Sequence, residues 1–118
     1  MVLTLSGTDG VTFPNEATTV KAWGTFTGTA ATPVMNDDAN FSSSITDSGT
    51  GLYSVTFTNS LADVNYVVTL GGVRTNSSTF TWGMRESYSL ATSGFSIKTM
   101  KSDTTSADHA VVSVMVVK

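Results

Sequence analysis

Few residues in this chain could carry chemistry. There is one histidine, His109, and no cysteine, so multi-histidine zinc sites, thiolate metal sites and disulfides are excluded. A Ser-His-Asp arrangement has its residue types in abundance, yet no segment resembles a nucleophile elbow. His109 stands between Asp108 and Ala110 at the head of an apolar run. An ordinary strand-end histidine is expected there, with catalysis and a pH-sensitive contact as the alternatives. Paired carboxylates could hydrolyse a glycosidic bond. Asp37, Asp38, Asp47, Asp63, Glu86 and Asp103 are the candidates, and none lies in a segment that reads as a rigid cleft. Asn36-Asp37-Asp38-Ala39-Asn40 offers hard oxygen ligands for calcium but lacks the spacing and central glycine of an EF-hand loop; a plain turn is the other reading. The glycine pairs lack the Gly-x-x-x-x-Gly-Lys spacing of a phosphate cradle. No catalytic residue, metal or cofactor is expected.

Surface recognition is what remains. Trp23, Trp82, Arg85 and Tyr88 are the side chains suited to it. Aromatic faces stack on sugar rings, arginine and hydroxyls hydrogen-bond to them, and tryptophan, tyrosine and arginine anchor protein interfaces. Trp82, Arg85 and Tyr88 are the receptor-binding candidates, Arg85 and Tyr88 because they flank an expected loop. Core or subunit packing is the competing reading, above all for Trp82. Asn40-Phe41-Ser42 and Asn76-Ser77-Ser78 match glycosylation sequons, which arise readily by chance in a chain with 37 Ser and Thr.

The elements that must hold these residues are strands. Of 118 residues, only 13% are charged, while Ser, Thr and Val are abundant. Val and Thr are β-branched and suit pleated strands, so a helical bundle, a coiled coil and a charged disordered tail are ruled out. A net charge of −3 with scattered Lys and Arg argues against nucleic acid. No apolar run approaches the ~20 residues of a helical membrane span, and Met1-Val2-Leu3-Thr4-Leu5 lacks the pattern of a signal peptide. Turn residues recur every eight to twelve positions, the mark of an antiparallel all-β domain. Strands are expected over 2–5, 18–27, 31–35, 39–46, 52–58, 65–71, 79–85, 94–101 and 109–117. Asp47-Ser48-Gly49-Thr50-Gly51 predicts a hairpin. Alternation places Tyr53, Val55 and Phe57 on one face and Ser54, Thr56 and Thr58 on the other. In 79–85 it sets Phe80, Trp82 and Met84 against Thr79, Thr81, Gly83 and Arg85. In 94–101 it sets Phe95 and Ile97 against Ser96 and Lys98, and in 18–27 it leaves Trp23 on an otherwise polar side. The reading is one antiparallel β-sandwich over 18–118, jelly-roll-like, with 1–17 as an extended lead-in or docking segment.

The last strand is apolar on both sides. Ala110, Val112, Val114 and Val116 form one face; Val111, Met115 and Val117 form the other. Such a strand must be covered twice. A sandwich partner sheet covers one face, and a second chain is the natural cover for the other, so Val111, Val112, Val114, Met115, Val116 and Val117 are the expected oligomer-interface residues; burial within one chain is the alternative.

Leu3–Thr19, LTLSGTDGVTFPNEATT, resembles the lead-in segments of bacteriophage tail-fibre proteins. Lys21–Val68 resembles the module that often follows, through Lys21-Ala22-Trp23, Ser44-Ile45-Thr46-Asp47 with Gly49-Thr50-Gly51, Tyr53-Ser54-Val55-Thr56-Phe57, and Asp63 with Asn65-Tyr66. Leu52 departs from the pattern, standing where a polar residue is more usual, a mark of an extra contact surface. The resemblance fades after residue 68. It implies a non-enzymatic virion structural protein, commonly a homotrimeric fibre, attaching the particle to a host-surface glycan or protein, joined to other virion proteins through its N-terminal segment and not inserted in a membrane. The alternative is a purely structural virion part, such as a capsid decoration, neck fibre or tail adaptor. A small polysaccharide-degrading enzyme is a third possibility.

Overall fold

A computed structural model of the chain describes residues 4–6, 10–12, 19–73, 84–101 and 103–118. Ten strands are present there: β1 (Thr4–Ser6), β2 (Gly10–Thr12), β3 (Val20–Phe26), β4 (Met35–Ala39), β5 (Thr46–Gly49), β6 (Leu52–Thr56), β7 (Val67–Val73), β8 (Met84–Ala91), β9 (Gly94–Met100) and β10 (Val111–Val117). The described residues contain no helix. β1 and β2 pair with each other. The remaining strands make two antiparallel four-stranded sheets, ordered β4-β3-β10-β7 and β5-β6-β9-β8.

Both sheets turn apolar residues onto a common core, an arrangement compatible with a β-sandwich. Ala22, Phe26, Val112, Val114 and Val116 come from the first sheet; Tyr53, Val55, Phe95 and Ile97 come from the second. Phe26 meets Tyr53 edge-on across the layers, with ring centroids 5.2 Å apart. A second aromatic group joins Phe41, Phe57, Tyr66 and Phe95; Phe41 stacks on Phe57 at 5.5 Å. The buried Tyr66 hydroxyl finds acceptors in the carbonyls of Ala91 and Gly94, at 2.9 and 3.2 Å, which ties residue 66 to the β8–β9 hairpin. The expected alternation over 52–58 holds, with Tyr53, Val55 and Phe57 buried.

The β5–β6 hairpin forms where the turn residues predict it. Gly49 and Gly51 adopt φ of 128° and 70°, and Gly49 N–H donates to Asp47 Oδ1 at 2.9 Å. A Cβ on Gly51 would stand 2.4 Å from the Thr99 carbonyl oxygen, so both its conformation and its surroundings require glycine.

Two expectations change. The strands expected over 31–35 and 39–46 give way to β4 at 35–39, two bridges (Val34 with Ser44, Phe41 with Phe57) and β5. The break falls at Asn40, which adopts φ 61°, a conformation asparagine tolerates better than most residues. Its side chain brackets the neighbouring chain: Nδ2 donates to the carbonyls of Lys21 and Asn59, and Oδ1 accepts from Asn59 N–H at 2.8 Å. The amide of this sequon is thus engaged within the fold. Secondly, the loop expected near Arg85 and Tyr88 is strand β8, which runs to Ala91 and returns through Thr92-Ser93 into β9. The polar run Arg85-Glu86-Ser87 carries little strand signal alone, and pairing with β9 overrides it.

Candidate functional site

The outward face of the second sheet carries the most varied side-chain chemistry on the described surface. Register aligns two rows across β6, β9 and β8: Leu52–Lys98–Glu86, and Ser54–Ser96–Tyr88. Inward residues Tyr53, Val55, Phe95 and Ile97 are buried, so period-two alternation aims these rows at solvent. Ser54 and Ser96 share a hydroxyl hydrogen bond of 3.0 Å. Ser106 is brought alongside by a bridge to Met100. Leu52, Glu86, Tyr88, Lys98 and Ser106 line an open concavity of about 340 Å³. Tyr88 is 41% exposed. The concavity therefore offers an aromatic ring, an aliphatic side chain, a cation and an anion on directly opposed positions, and a hydroxyl. That set can bind a polar ligand with an apolar face, as a pyranose ring has.

Of the receptor candidates, Arg85 and Tyr88 are turned to opposite faces of β8. Tyr88 pairs with Ser96 and faces outward, whereas Arg85 pairs with the fully buried Thr99 and lies toward the core side, half-buried. Burial holds its guanidinium below the usual arginine value. Three positions apart on one strand, the two residues fall on opposite faces, a separation the loop expectation concealed. Trp82 lies outside the described residues. Leu52, Lys98 and Glu86 were not among the candidates, although the unusual Leu52 marked the spot. Only the β6–β9–β8 register brings them together.

The outward face of the first sheet is different. Met115 lies between Trp23 and Thr69, Ser113 between Thr25 and Gly71, Val111 beside Val73, and Val117 between Val20 and Val67. Trp23 is 41% exposed and Met115 40%. Val20, Val67, Val73 and Val111 are also exposed. A shallow groove of about 230 Å³ runs where Gly71 and Ser113 leave little side chain between Met115, Thr69 and the backbone at Leu70 and Val114. Of the expected interface residues, Val112, Val114 and Val116 are buried inside the chain's own core, while Val111 and Met115 are exposed and Val117 is half-buried. Trp23, which the alternation set apart, sits at the middle of this apolar face.

The remaining candidates are dispersed. His109 is fully buried, with Nε2 3.1 Å from the Met100 carbonyl oxygen. Asp108 Oδ1 accepts the Gly51 N–H at 2.6 Å and lies 2.8 Å from the Tyr53 hydroxyl, and Gly28 N–H donates to the His109 carbonyl. These contacts fasten the chain ahead of β10 to the β5–β6 hairpin and to the turn after β3. Asn36, Asp37 and Asp38 are in strand β4 rather than a turn, so Asp37 and Asp38 project from opposite faces. Asp38 Oδ2 accepts the Phe41 N–H at 3.1 Å. Among the described residues no group of three or more His, Cys, Asp or Glu is placed to hold a metal ion.

No family model, curated protein or solved structure matches this chain.

Proposed function

We propose that this chain is a non-enzymatic attachment module of a bacteriophage virion, an external appendage protein that binds a host-surface glycan or protein. The observation that carries the reading is the concavity at Tyr88. Leu52, which departs from the fibre pattern, and Tyr88, chosen for its chemistry, are far apart in sequence yet line one surface with Lys98 and Glu86. An open, preformed, amphipathic surface on a rigid sheet suits recognition. Among the described residues the groups a hydrolase would need are dispersed: His109 is inside, and Glu86 shares the concavity with a lysine rather than a second carboxylate. In this reading the protein self-associates, three copies being what the resemblance implies, and residues 1–17 dock onto other virion proteins.

A pull-down of host-envelope fractions by the purified protein tests the attachment reading. Wild-type protein is expected to retain material that Tyr88→Ala with Lys98→Ala loses by about 10-fold or more, since truncating interface anchors removes a few kcal/mol. Equal retention by both proteins, or none by either, overturns it.

One observation favours a second reading, a purely structural virion component such as a capsid decoration, neck fibre or tail adaptor. The apolar outer face around Trp23 and Met115 is suited to protein packing, not to a sugar. Immunogold labelling confined to the capsid surface, with no host-cell binding, is the outcome that selects it.

A further inference from the structure

We infer, resting on the attachment reading, that the Tyr88 concavity takes an uncharged hexopyranose unit of a glycan, held through two adjacent hydroxyls by Glu86 and Lys98. Glu86 and Lys98 stand directly opposite each other on β8 and β9. Neither head group makes an ion pair or a hydrogen bond among the described residues, where the ion pair present joins Lys118 to Asp63. The pair thus sets an acceptor-only carboxylate beside a donor-only ammonium, both with their capacity unspent inside the fold. A vicinal diol is the complementary group, because each hydroxyl both donates and accepts. Leu52 is the other cross-strand neighbour of Lys98, and Tyr88 lies two residues beyond Glu86 on the same face. An aliphatic chain and an aromatic ring suit the C–H face of the same sugar.

The backbone is strained on two sides of the concavity. Among the described residues Asn40, Ser89 and Thr104 are the non-glycine positions with positive φ. Asn40 is accounted for by its hydrogen bonds to Lys21 and Asn59. Ser89, at 51°, follows Tyr88 inside the register break of β8, and Thr104, at 67°, comes two residues before Ser106. Such conformations are unfavourable, most of all for a β-branched threonine, and they gather where side chains are aimed at a ligand.

Charge and size select the ligand. A uronate or phosphate placed against Lys98 also meets the Glu86 carboxylate, and an amino sugar placed against Glu86 also meets the Lys98 ammonium. A zwitterion matches both charges, yet ion pairs at so open a surface contribute little against the solvation they give up. An uncharged ring with hydroxyls meets no repulsion from either group. A volume of about 340 Å³ is that of a small-ligand cleft, whereas a stable protein partner needs a broad patch of surface.

Treating the host-envelope fraction before the pull-down tests this. Periodate cleaves sugars between adjacent hydroxyls and is expected to abolish retention by the wild-type protein, whereas protease treatment leaves retention unchanged. Loss to protease with resistance to periodate overturns the inference while the attachment reading stands; no retention from untreated envelope overturns both. Competition then reads the charge of the ligand. At least one of dextran, mannan and galactan is expected to displace the envelope material, while alginate, a polyuronate, and a phosphocholine conjugate do not. Displacement by either charged probe, or by none of the three neutral polymers, overturns the inference. Glu86→Gln and Lys98→Met are each expected to weaken retention about 10-fold. Glu86→Lys, at an exposed position where the fold tolerates the change, is expected to lose the neutral polymers and to gain alginate. Neutral-polymer binding that survives all three substitutions overturns the inference.

Discussion

The Tyr53 hydroxyl lies 2.8 Å from Asp108 Oδ1, joining residues 55 positions apart, and the same carboxylate oxygen accepts the Gly51 N–H. The Gly28 carbonyl lies 2.8 Å from that hydroxyl as well. One phenol thus ties β6, the turn after β3 and the approach to β10.

Burial first, and the adjacent Asp108 carboxylate second, raise the Tyr53 hydroxyl well above the ordinary tyrosine value. A raised value means that the stabilisation is complete below about pH 10, where the unfolded tyrosine also stays neutral, and is lost as pH rises through the folded value. Wild-type protein is therefore expected to lose stability above about pH 10. Tyr53→Phe is expected to unfold with about 1.5–3 kcal/mol less free energy at pH 7, because Asp108 loses a hydrogen-bond donor, and to lack the share of the alkaline slope that Tyr53 contributes. Urea titrations at pH 7 and above pH 10 check both statements.

Asp63 is held below the ordinary carboxylate value by the Lys118 ammonium, 2.5 Å away, and then by the Asn65 N–H. A lowered value contributes stability above the ordinary carboxylate range that is lost as pH falls through the folded value. Asp63→Asn is expected to change the neutral-pH melting temperature only slightly, to remove part of the acid-side decline, and to converge with wild type in high salt. Melting curves at pH 3 and pH 7, with and without added salt, test it.

Gly51→Ala would place a methyl group 2.4 Å from a backbone oxygen at a positive φ of 70°. A loss of about 3 kcal/mol or more is expected, since neither strain nor clash can relax cheaply. Gly49 also has a positive φ, but nothing lies within 4 Å of its Cβ position, so Gly49→Ala should show the smaller loss of backbone strain alone. Chemical denaturation of the two variants side by side separates the clash from the strain.

Phe57→Ala removes a ring that meets Phe41, Tyr66 and Phe95 at centroid distances of 5.5, 5.7 and 5.9 Å. The expected loss is about 3–5 kcal/mol. Phe57→Leu, which keeps most of the volume, is expected to lose less than half of that in the same assay.

The strand character of the chain was legible residue by residue. Alternation in 52–58 identified Tyr53, Val55 and Phe57 as buried, and the Gly49–Gly51 turn closed the hairpin as its chemistry requires. Trp23 stood out because it broke the polar side of its strand, and it is exposed on the apolar face. What failed to show was local. β4 runs through Asn36-Asp37-Asp38, a sequence with turn character, because β3 supplies pairing partners; β8 runs through Arg85-Glu86-Ser87 because β9 does. Asn40 ends β4 through long-range hydrogen bonds to Lys21 and Asn59 that no local pattern announces.

By itself the order of residues determined an antiparallel all-β chain, the burial of one face of β10, and an apolar second face on the same strand, since a period of two assigns faces wherever polarity alternates. Only the tertiary structure decided which strands are neighbours. Register across three strands set Leu52, Lys98, Glu86 and Tyr88 around one concavity and turned Arg85 away from Tyr88. Strand pairing joins residues by long-range backbone hydrogen bonds, and those partners are chosen by the packing of the whole core rather than by any stretch of sequence.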